Sequence, residues 1–239
     1  MRSSIASAAR GLRRTPLHPQ WLLGSNVETR RWVRESARGR VLDIGCADRW
    51  IRGALLPDCQ YVGLDYPTTG GGLYGACPDV FGDAARLPFP DACFDTVIML
   101  EVLEHLREPH QALSEIARVV RPKGQVLLSM PFLYPIHDAP HDYQRYTAHG
   151  LQREIELSGL KLSKLEPSLG SSETAGLIAC LALGGMAVES LQRRHFSVVF
   201  IPLILIAIPL INLLARLGGL LMPSWSALGA GYRIGALRP

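Results

Sequence analysis

The sequence lacks the cysteine pattern of a zinc-binding or disulfide-bonded domain. Its five cysteines contain no C-x-x-C pair and are odd in number, which argues against a zinc site and against a disulfide framework. A reducing compartment is the simplest inference. The first twenty residues also lack the apolar stretch of a cleavable secretory signal. Because they are rich in arginine and serine and free of acids, a mitochondrial transit peptide is an alternative.

Lysine is scarce, and the positive charge is concentrated near the N-terminus. The chain has three lysines, and residues 1–40 hold nine of its arginines against only Glu28 and Glu35. The net charge of +4 therefore reflects a basic N-terminal arm, predicted as residues 1–37 with a lead-in helix over Glu28–Ser36. Such an arm suits an anionic lipid surface or another polyanion, and a solvated leader of biased composition is the alternative.

The sequence shows no internal repeat, and from Arg40 onward it alternates between two kinds of segment. Short apolar runs that end near Gly, Asp or Glu predict strands. They cover Val41–Ile44, Tyr61–Leu64, Thr96–Leu100 and Gln125–Met130. Between the last two, residues 108–120 carry apolar side chains at helical spacing. Alternating strands and helices predict an α/β fold with a parallel, doubly wound sheet, in which ligands bind at the carboxyl ends of the strands.

Later segments complete this fold around an apolar insertion. Thr147 is the predicted cap of a helix that ends near Ser158, alternating leucines at 160, 162 and 165 predict an edge strand, and Gly231–Leu237 is the predicted last strand. With 239 residues, the chain has room for one α/β domain and an appendage. We therefore assign residues 38–170 and 228–239 to the α/β domain, and residues 171–227 to an apolar helical hairpin.

The residues at the predicted strand ends indicate a nucleoside site. Gly45 breaks the first strand, and a glycine there lets the backbone approach a ligand closely. Asp65 ends the second strand 20 residues later, where a carboxylate can accept both hydroxyls of a ribose. A nicotinamide-binding domain is the more specific alternative, but the G-x-G-x-x-G motif of that class is missing from the sequence. An ordinary strand-to-helix turn at Gly45 and a helix cap at Asp65 are the structural alternatives.

Four segments resemble the class I S-adenosylmethionine-dependent methyltransferases of the type that includes ubiquinone and menaquinone biosynthesis enzymes. They are VLDIGC (41–46), YVGLD (61–65), GDAARLPFPDACFDTVIMLEVLEHL (82–106) and RVVRPKGQVLLSM (118–130). The resemblance covers roughly residues 38–165 and implies a Rossmann-like, mostly parallel, seven-stranded sheet that binds S-adenosylmethionine. The first loop departs from the family, because Cys46-Ala47-Asp48-Arg49 stands where a second and third glycine are often found.

The resemblance also implies roles at the strand ends. The first loop borders the methionine part of the cofactor, the acid after the second strand holds the ribose, the Gly-Asp-Ala segment faces the adenine, and the strand ending near residue 100 forms the floor of the site. In that order, the predicted cofactor-binding residues are Asp43, Gly45, Cys46, Asp65, Tyr66, Asp83, Ala84, Leu100 and Glu101.

A segment rich in histidine, aspartate and tyrosine follows the strand that ends at Met130. It resembles the corresponding loop of methyltransferases encoded with bacterial cell-surface polysaccharide enzymes, and it predicts a substrate lid above the cofactor. His137 or His141 is the predicted general base, with Asp138 or Asp142 orienting it, and Arg145 is the predicted clamp for an anionic acceptor. The predicted catalytic residues are therefore His137, His141, Asp142 and Arg145.

Two simpler interpretations of these residues are open. The lid side chains could only anchor the loop through hydrogen bonds to the backbone. The two His-Asp pairs could also ligate a metal, but ligand spacing alone is a weak signal, and we expect none. His105, beside Glu104, is expected to start a helix near the pocket rather than to catalyse.

An uncharged stretch, Phe196–Ala215, is 20 residues long and meets the length criterion for a membrane span. The apolar stretch before it, Ala175–Val188, has 14 residues and is too short for a comfortable span. If Gly231–Leu237 completes the sheet, a single crossing forbids the return of the chain, and two crossings would place Arg193 and Arg194 on the far face, against the positive-inside tendency. A helical hairpin lying in one leaflet satisfies both constraints. A buried helical pair or a dimer interface is the alternative.

These observations predict an S-adenosylmethionine-dependent methyltransferase at the cytoplasmic face of a membrane, the inner membrane in a bacterium. A buried helical pair would instead predict a cytoplasmic protein. The expected acceptor is a lipid-linked, glycan or other amphipathic small molecule. No nucleic acid partner is expected, and the oligomeric state is left open. The alternatives are a soluble quinone-type methyltransferase and a membrane partner of a glycosyltransferase that binds the cofactor without catalysis.

Overall fold

The computed structural model describes residues 12–24, 26–74 and 76–239. Over these residues the strands are β1 (Arg40–Ile44), β2 (Gln60–Asp65), β3 (Val80–Phe81), β4 (Phe94–Leu100), β5 (Val120–Pro131), β6 (Lys161–Pro167) and β7 (Gly231–Leu237). They form one sheet in the order β3-β2-β1-β4-β5-β7-β6. The strands from β3 to β5 pair in parallel, whereas β7 runs antiparallel to β5. The prediction of a mostly parallel, doubly wound, seven-stranded sheet is confirmed.

Helices precede the sheet, connect its strands and form the apolar insertion. They are α1 (Val27–Ser36), α2 (Pro67–Tyr74), α3 (Pro109–Val119), α4 (Ala148–Leu157), α5 (Ser171–Gln192) and α6 (Ile201–Leu221). Short 3-10 turns lie at Trp21–Leu23, Arg52–Ala54, Leu103–His105 and Phe196–Phe200. Thr147 caps α4 as predicted, because its hydroxyl oxygen accepts a hydrogen bond from the backbone N–H of Gly150 at 3.1 Å.

Side chains alternate across the sheet, so each central strand contributes to two cores. The core on the face covered by α1 contains Val33, Val41, Ile98, Leu100 and Leu127. The larger core on the other face joins α3 and α4 to the sheet and contains, among others, Leu42, Val97, Met99, Leu113, Ile116, Leu128, Leu151 and Ile155. Burial of a leucine or isoleucine contributes roughly 1.5–3 kcal/mol, so both faces stabilise the strand ends that carry the polar residues.

The described chain divides into two compact units. The sheet unit contains residues 28–132, 136–166 and 231–239. The helical unit contains the described residues before Glu28, together with Leu133–Pro135 and Pro167–Ala230. The domain boundaries deduced from the sequence stay a prediction. The first eleven residues of the predicted basic arm lie outside the described residues.

Close packing of α5 on α6 defines the helical unit. A Cβ atom added at Gly176 would lie 2.4 Å from the Cβ of Ala215, so the two backbones approach where a larger side chain does not fit. The hydroxyl of Ser172 donates to the carbonyl oxygen of Ala215 at 2.9 Å, and Glu173 pairs with Arg216 at 3.1 Å. Small residues thus let two largely apolar helices pack tightly, as in membrane helix pairs.

The apolar insert corrects one detail of the sequence analysis. The stretch Ala175–Val188 was expected to be too short for a comfortable span, but it lies within α5, which has 22 residues. By length and composition, α5 and the segment Phe196–Leu221 are both long and apolar enough to cross a membrane. The polar residues at both ends of α5 extend the helix beyond its apolar stretch, and a hydropathy pattern alone does not reveal this extension.

Candidate cofactor and active site

The loop after β1 turns sharply beneath β2. Gly45 has a φ of +73°, and a Cβ there would lie 2.3 Å from a side-chain carbon of Val102, so only glycine fits. The backbone N–H groups of Gly45 and Cys46 both donate to the carbonyl oxygen of Leu64, at 2.8 and 3.1 Å. These contacts fix the loop against the end of β2.

Two further loop residues adopt backbone conformations that favour glycine. Ala47 and Arg49 have φ values of +46° and +59°. They lie two and four residues after Gly45, where the family resemblance leads us to expect the second and third glycines. The loop therefore keeps a glycine-type backbone without those glycines, at a cost of about 1–3 kcal/mol for each strained residue.

Asp65 lies where β2 meets this loop. Its side chain is buried, and its two carboxylate oxygens accept hydrogen bonds from the backbone N–H groups of Ala47 and Tyr66, both at 2.8 Å. A Cβ at Gly70 of α2 would lie 2.3 Å from the same carboxylate, so glycine is required there too. A carboxylate offers about four acceptor positions, so capacity remains for two ribose hydroxyls. The residues fit a nucleoside.

The other predicted cofactor residues occupy the same ends of neighbouring strands. Asp83 is exposed, and its side chain accepts from the backbone N–H of Ala85 at 2.9 Å, while Ala84 is buried. Leu100 ends β4 and is buried, and Glu101 follows it with a φ of +56°. The fold thus brings the predicted residues to one edge of the sheet. Their contacts with a cofactor stay a prediction.

Asp43 is a buried acid in β1. Burial raises the pKa of its carboxyl to about 7, although the Tyr61 hydroxyl donates a hydrogen bond to it at 2.7 Å and opposes the rise. The nearby Asp65 adds to the rise. A proton can therefore be held on Asp43 in the cofactor-free protein near neutral pH.

This raised pKa predicts a pH-dependent stability. Because the folded pKa lies above the unfolded one, the contribution of Asp43 is fully present below about pH 4 and is lost as the pH rises through about 7, at no more than about 1.4 kcal/mol per pH unit. We expect Asp43→Asn to remove this loss. Denaturant unfolding of both proteins between pH 4 and 8 would measure the difference, and parallel profiles would contradict the prediction.

Glu101 is accessible to solvent, yet the surrounding protein desolvates it and raises the pKa of its carboxyl. The hydroxyl of Ser129, in β5, donates to the Glu101 carboxylate at 2.6 Å and fixes its orientation. Glu101 thus lies at the ends of β4 and β5, on the ligand edge of the sheet.

Glu104 and His105 follow Glu101 closely in the chain, and His137 of the lid contacts both of them. The Nε2 atoms of His105 and His137 lie 3.7 and 3.9 Å from Oε1 of Glu104. Glu104 is fully buried, and neither of its carboxylate oxygens has a hydrogen-bond partner in the described structure. Burial raises the pKa of Glu104 to about 9, with a further contribution from Glu101. We call these three residues the Glu-His-His cluster.

Asp142 fixes the predicted lid next to the cluster through contacts with His137. Its buried carboxylate accepts from the backbone N–H of His137 at 3.0 Å and lies 3.2 Å from Nδ1 of the same residue. Arg145 pairs with both oxygens of Asp142, at 2.8 Å for one of the two contacts. These charge-assisted bonds lower the pKa of Asp142 to about 2.

The lid residues divide into different environments. The ring of His141 contacts the hydroxyl of Tyr143 at 3.2 Å, and only the carbonyl oxygen of His141 reaches the cluster, where it accepts from Nδ1 of His105 at 2.7 Å. The geometry therefore favours His137 over His141 as the base. Arg145 binds Asp142, so this geometry supports a positioning role for it rather than the predicted anion clamp.

The sequence did not predict that Glu104 and His105 contact His137. His105 was expected only to start a helix, but the turn Leu103–His105 places both side chains against His137. The signal was available in part, because these residues directly follow β4, whose carboxyl end lies at the ligand edge of a doubly wound sheet. The contact with His137, 32 residues later, depends on the lid conformation.

The fold and the strand-end residues together define an α/β protein with a nucleoside-type site. Residues 42–128 match the methyltransferase domain family. A probable S-adenosylmethionine-dependent methyltransferase from Mycolicibacterium smegmatis is 32% identical over 188 residues, which span 73% of this chain and 71% of the relative. The chain belongs to the class I S-adenosylmethionine-dependent methyltransferases, and S-adenosylmethionine is its cofactor.

Other relatives match a shorter part of the chain. The 27-O-demethylrifamycin SV methyltransferase of Amycolatopsis mediterranei is 34% identical over 41% of each chain, and an O-methyltransferase of Aspergillus nomiae is 32% identical over 45% of this chain and 56% of its own. A putative methyltransferase structure from Bacillus halodurans has a TM-score of 0.52 at 14% identity, covering 90% of this chain and all of that one. The structural likeness concerns the fold alone.

Proposed function

We propose that this protein transfers a methyl group from S-adenosylmethionine to a hydroxyl of a lipid-linked or other amphipathic small molecule at a membrane surface. The main supporting observation is the Glu-His-His cluster at the ligand edge of the sheet, with Glu104 fully buried and the two histidines partly exposed. Family relatives named as O-methyltransferases support oxygen as the acceptor atom.

The cofactor-binding roles follow from the described contacts. Asp65, fixed by two backbone N–H groups, would hold the ribose hydroxyls, and the left-handed loop around Gly45 would border the methionine part. When bound, the cofactor supplies an activated methyl group as a sulfonium. Because the methyl is already activated, positioning provides most of the acceleration, worth roughly 7–11 kcal/mol at best.

The acceptor hydroxyl must lose its proton as the new bond to carbon forms. His137 is the proposed base, because Asp142 lies 3.2 Å from its Nδ1 and leaves Nε2 directed at the cluster. A positioned base contributes about 10²- to 10⁴-fold to such a transfer. Asp142 is in turn held by Arg145, so both act as positioning residues.

The experiment that tests this activity measures transfer of labelled methyl from the cofactor to a lipid extract. We expect His137→Gln to lower turnover by at least about 100-fold while cofactor binding stays within threefold of the parent. His141→Gln, whose ring contacts Tyr143 instead, is the matched control and should keep most of the activity. Cofactor binding without turnover of any extract fraction would instead favour a non-catalytic cofactor-binding protein.

Membrane attachment is the second part of the proposal, and exposed apolar side chains support it. Of the most apolar 18-residue stretch within Phe196–Leu221, only 17% is buried in the structure. One stripe of α6, formed by Ile208, Asn212 and Ala215, is buried, while leucines on its other faces, such as Leu210 and Leu217, are about half exposed. A helix that is apolar all round needs an apolar environment. A bilayer surface provides it, with Arg193 and Arg194 at the headgroups.

A vesicle flotation assay tests this attachment. We expect the parent protein to float with vesicles of phosphatidylethanolamine and phosphatidylglycerol, and the double variant Leu210→Glu, Leu217→Glu to lose most of this binding. The matched control, Val27→Glu with Leu157→Glu, changes two exposed apolar residues outside α5 and α6 and should float like the parent. If the parent does not float but forms dimers that the first double variant dissociates, the helices serve as a dimer interface.

A further inference from the structure

Three ligand atoms of the kinds that bind transition metals converge in the Glu-His-His cluster. Oε1 of Glu104 and the Nε2 atoms of His105 and His137 all lie within 4.8 Å of one another. Two imidazoles and one carboxylate form the ligand set of catalytic zinc sites and of non-haem iron sites. The spacing is slightly wider than around a bound ion, so a small inward rotation of the side chains would complete a site.

The second nitrogen of each histidine is held in the way that metal ligands require. Nδ1 of His105 donates to the carbonyl oxygen of His141 at 2.7 Å. A carbonyl can only accept, so the proton is on Nδ1 and the lone pair is on Nε2. Nδ1 of His137 lies 3.2 Å from the Asp142 carboxylate, which favours the same tautomer. Metal-bound histidines almost always have a carbonyl or carboxylate partner of this kind.

Glu104 is the independent observation that points to a ligand. Its side chain is fully buried, and both oxygens lack a hydrogen-bond partner in the described structure. Buried polar groups are nearly always satisfied, because an unsatisfied one costs about 1–3 kcal/mol or more when charged. A cation beside Oε1 would satisfy this carboxylate.

The surrounding charge also favours a cation. Glu101 and Asp142 both act electrostatically on Glu104, and Arg145 offsets one of these negative charges. Burial favours a proton on Glu104, so binding of a divalent ion would displace that proton and place the ion beside the resulting carboxylate. The partly exposed rings of His105 and His137 leave a route from solvent.

We propose that Glu104, His105 and His137 bind one divalent transition metal ion of the zinc type, with its remaining coordination positions open to the acceptor. This departs from the sequence-based expectation of no metal. Metal binding itself does not depend on the proposed function, but the role of the ion in acceptor activation rests on it. His137 acts as the proposed base only in the metal-free protein; with the ion bound, its Nε2 lone pair is used for coordination, and the ion would lower the pKa of the acceptor hydroxyl instead.

Titration of the chelator-treated, full-length protein with Zn²⁺ and with Co²⁺ tests the proposal. We expect one ion per chain by mass spectrometric metal analysis, visible absorption bands of Co²⁺ with nitrogen ligands, and no comparable binding of Mg²⁺, which prefers oxygen ligands. His137→Gln and the nearly isosteric Glu104→Gln should each weaken Zn²⁺ binding by at least 100-fold, and Asp142→Asn by about 10- to 100-fold. His149→Gln, at an exposed histidine outside the cluster and the lid, is the control variant that should bind like the parent.

Two results would overturn the site. One is binding of less than about 0.2 metal ions per chain, a fifth of full occupancy, to a parent protein that still binds S-adenosylmethionine. The other is unchanged Zn²⁺ affinity in the double variant His105→Gln, His137→Gln. Cofactor titration of every sample reports folding separately. Failure of metal binding is thus distinct from failure of the methyltransferase proposal, which methyl transfer with and without chelator measures.

Discussion

Replacing Asp65 by asparagine should weaken S-adenosylmethionine binding by at least about 100-fold. The carboxylate is buried and accepts backbone N–H groups from Ala47 and Tyr66. An amide has one oxygen and one NH₂ group, so its donor would face one of these N–H groups while the negative charge toward the ribose is lost. Hydrogen bonds to a charged group contribute about 1.5–3 kcal/mol each, and two are at stake.

Isothermal titration calorimetry with S-adenosylmethionine and its demethylated product measures this loss. Asp95→Asn is a suitable control, because Asp95 also accepts a backbone N–H, from Arg40 at 2.8 Å, but lies at the start of β4, away from the ligand edge. It should bind within tenfold of the parent. Binding by a folded Asp65→Asn protein within threefold of the parent would contradict the assignment of the ribose site.

The packing of α5 on α6 leads to the second large effect. Gly176→Ala should lower the free energy of unfolding by about 2 kcal/mol, because the new methyl would lie 2.4 Å from Ala215 and 3.1 Å from Leu22. The Cβ of Ala215 is attached directly to the backbone of α6, so the two helices must move apart to make room. Gly185→Ala, in the same helix but with nothing within 4 Å, should instead raise this free energy by up to about 1 kcal/mol.

A compensating variant makes this prediction sharper. Ala215→Gly removes the methyl opposite Gly176, so the double variant Gly176→Ala, Ala215→Gly should recover most of the lost stability. Denaturant unfolding in one mild detergent, followed by circular dichroism, compares the parent, Gly176→Ala, Gly185→Ala and the double variant. Equal stability of the two single glycine variants would show that the close approach of the helices does not limit their packing.

The regular elements could be predicted because local patterns specify them. Apolar runs placed β1, β2 and β4 within two residues, whereas β5 begins five residues before its predicted start, and the cap at Thr147 was visible as a residue type in front of a helical period. The strand β3, with two residues, and the glycine-rich helix α2 have no such pattern. Their positions depend on pairing with β2 and on the space beside Asp65, which only the folded chain defines.

The candidate site could be predicted in its cofactor half better than in its catalytic half. Strand ends must meet at one edge of a parallel sheet, so Asp43 and Asp65 could be placed together from their spacing. The partners of His137 could not, because they depend on how the lid folds back. Several chemically equivalent pairings, such as His141 with Asp142, were equally compatible with the sequence.

The position of β7 has a consequence for biosynthesis. In the sheet order, β7 lies between β5 and β6, although residues 168–230 separate β6 from β7 in the chain. At roughly 5–20 residues per second, the ribosome needs several seconds to produce this interval. The nascent polypeptide therefore exposes the apolar helices α5 and α6 before β7 can pair with β5. A chaperone or lipid present during that time can bind these helices before the sheet is complete.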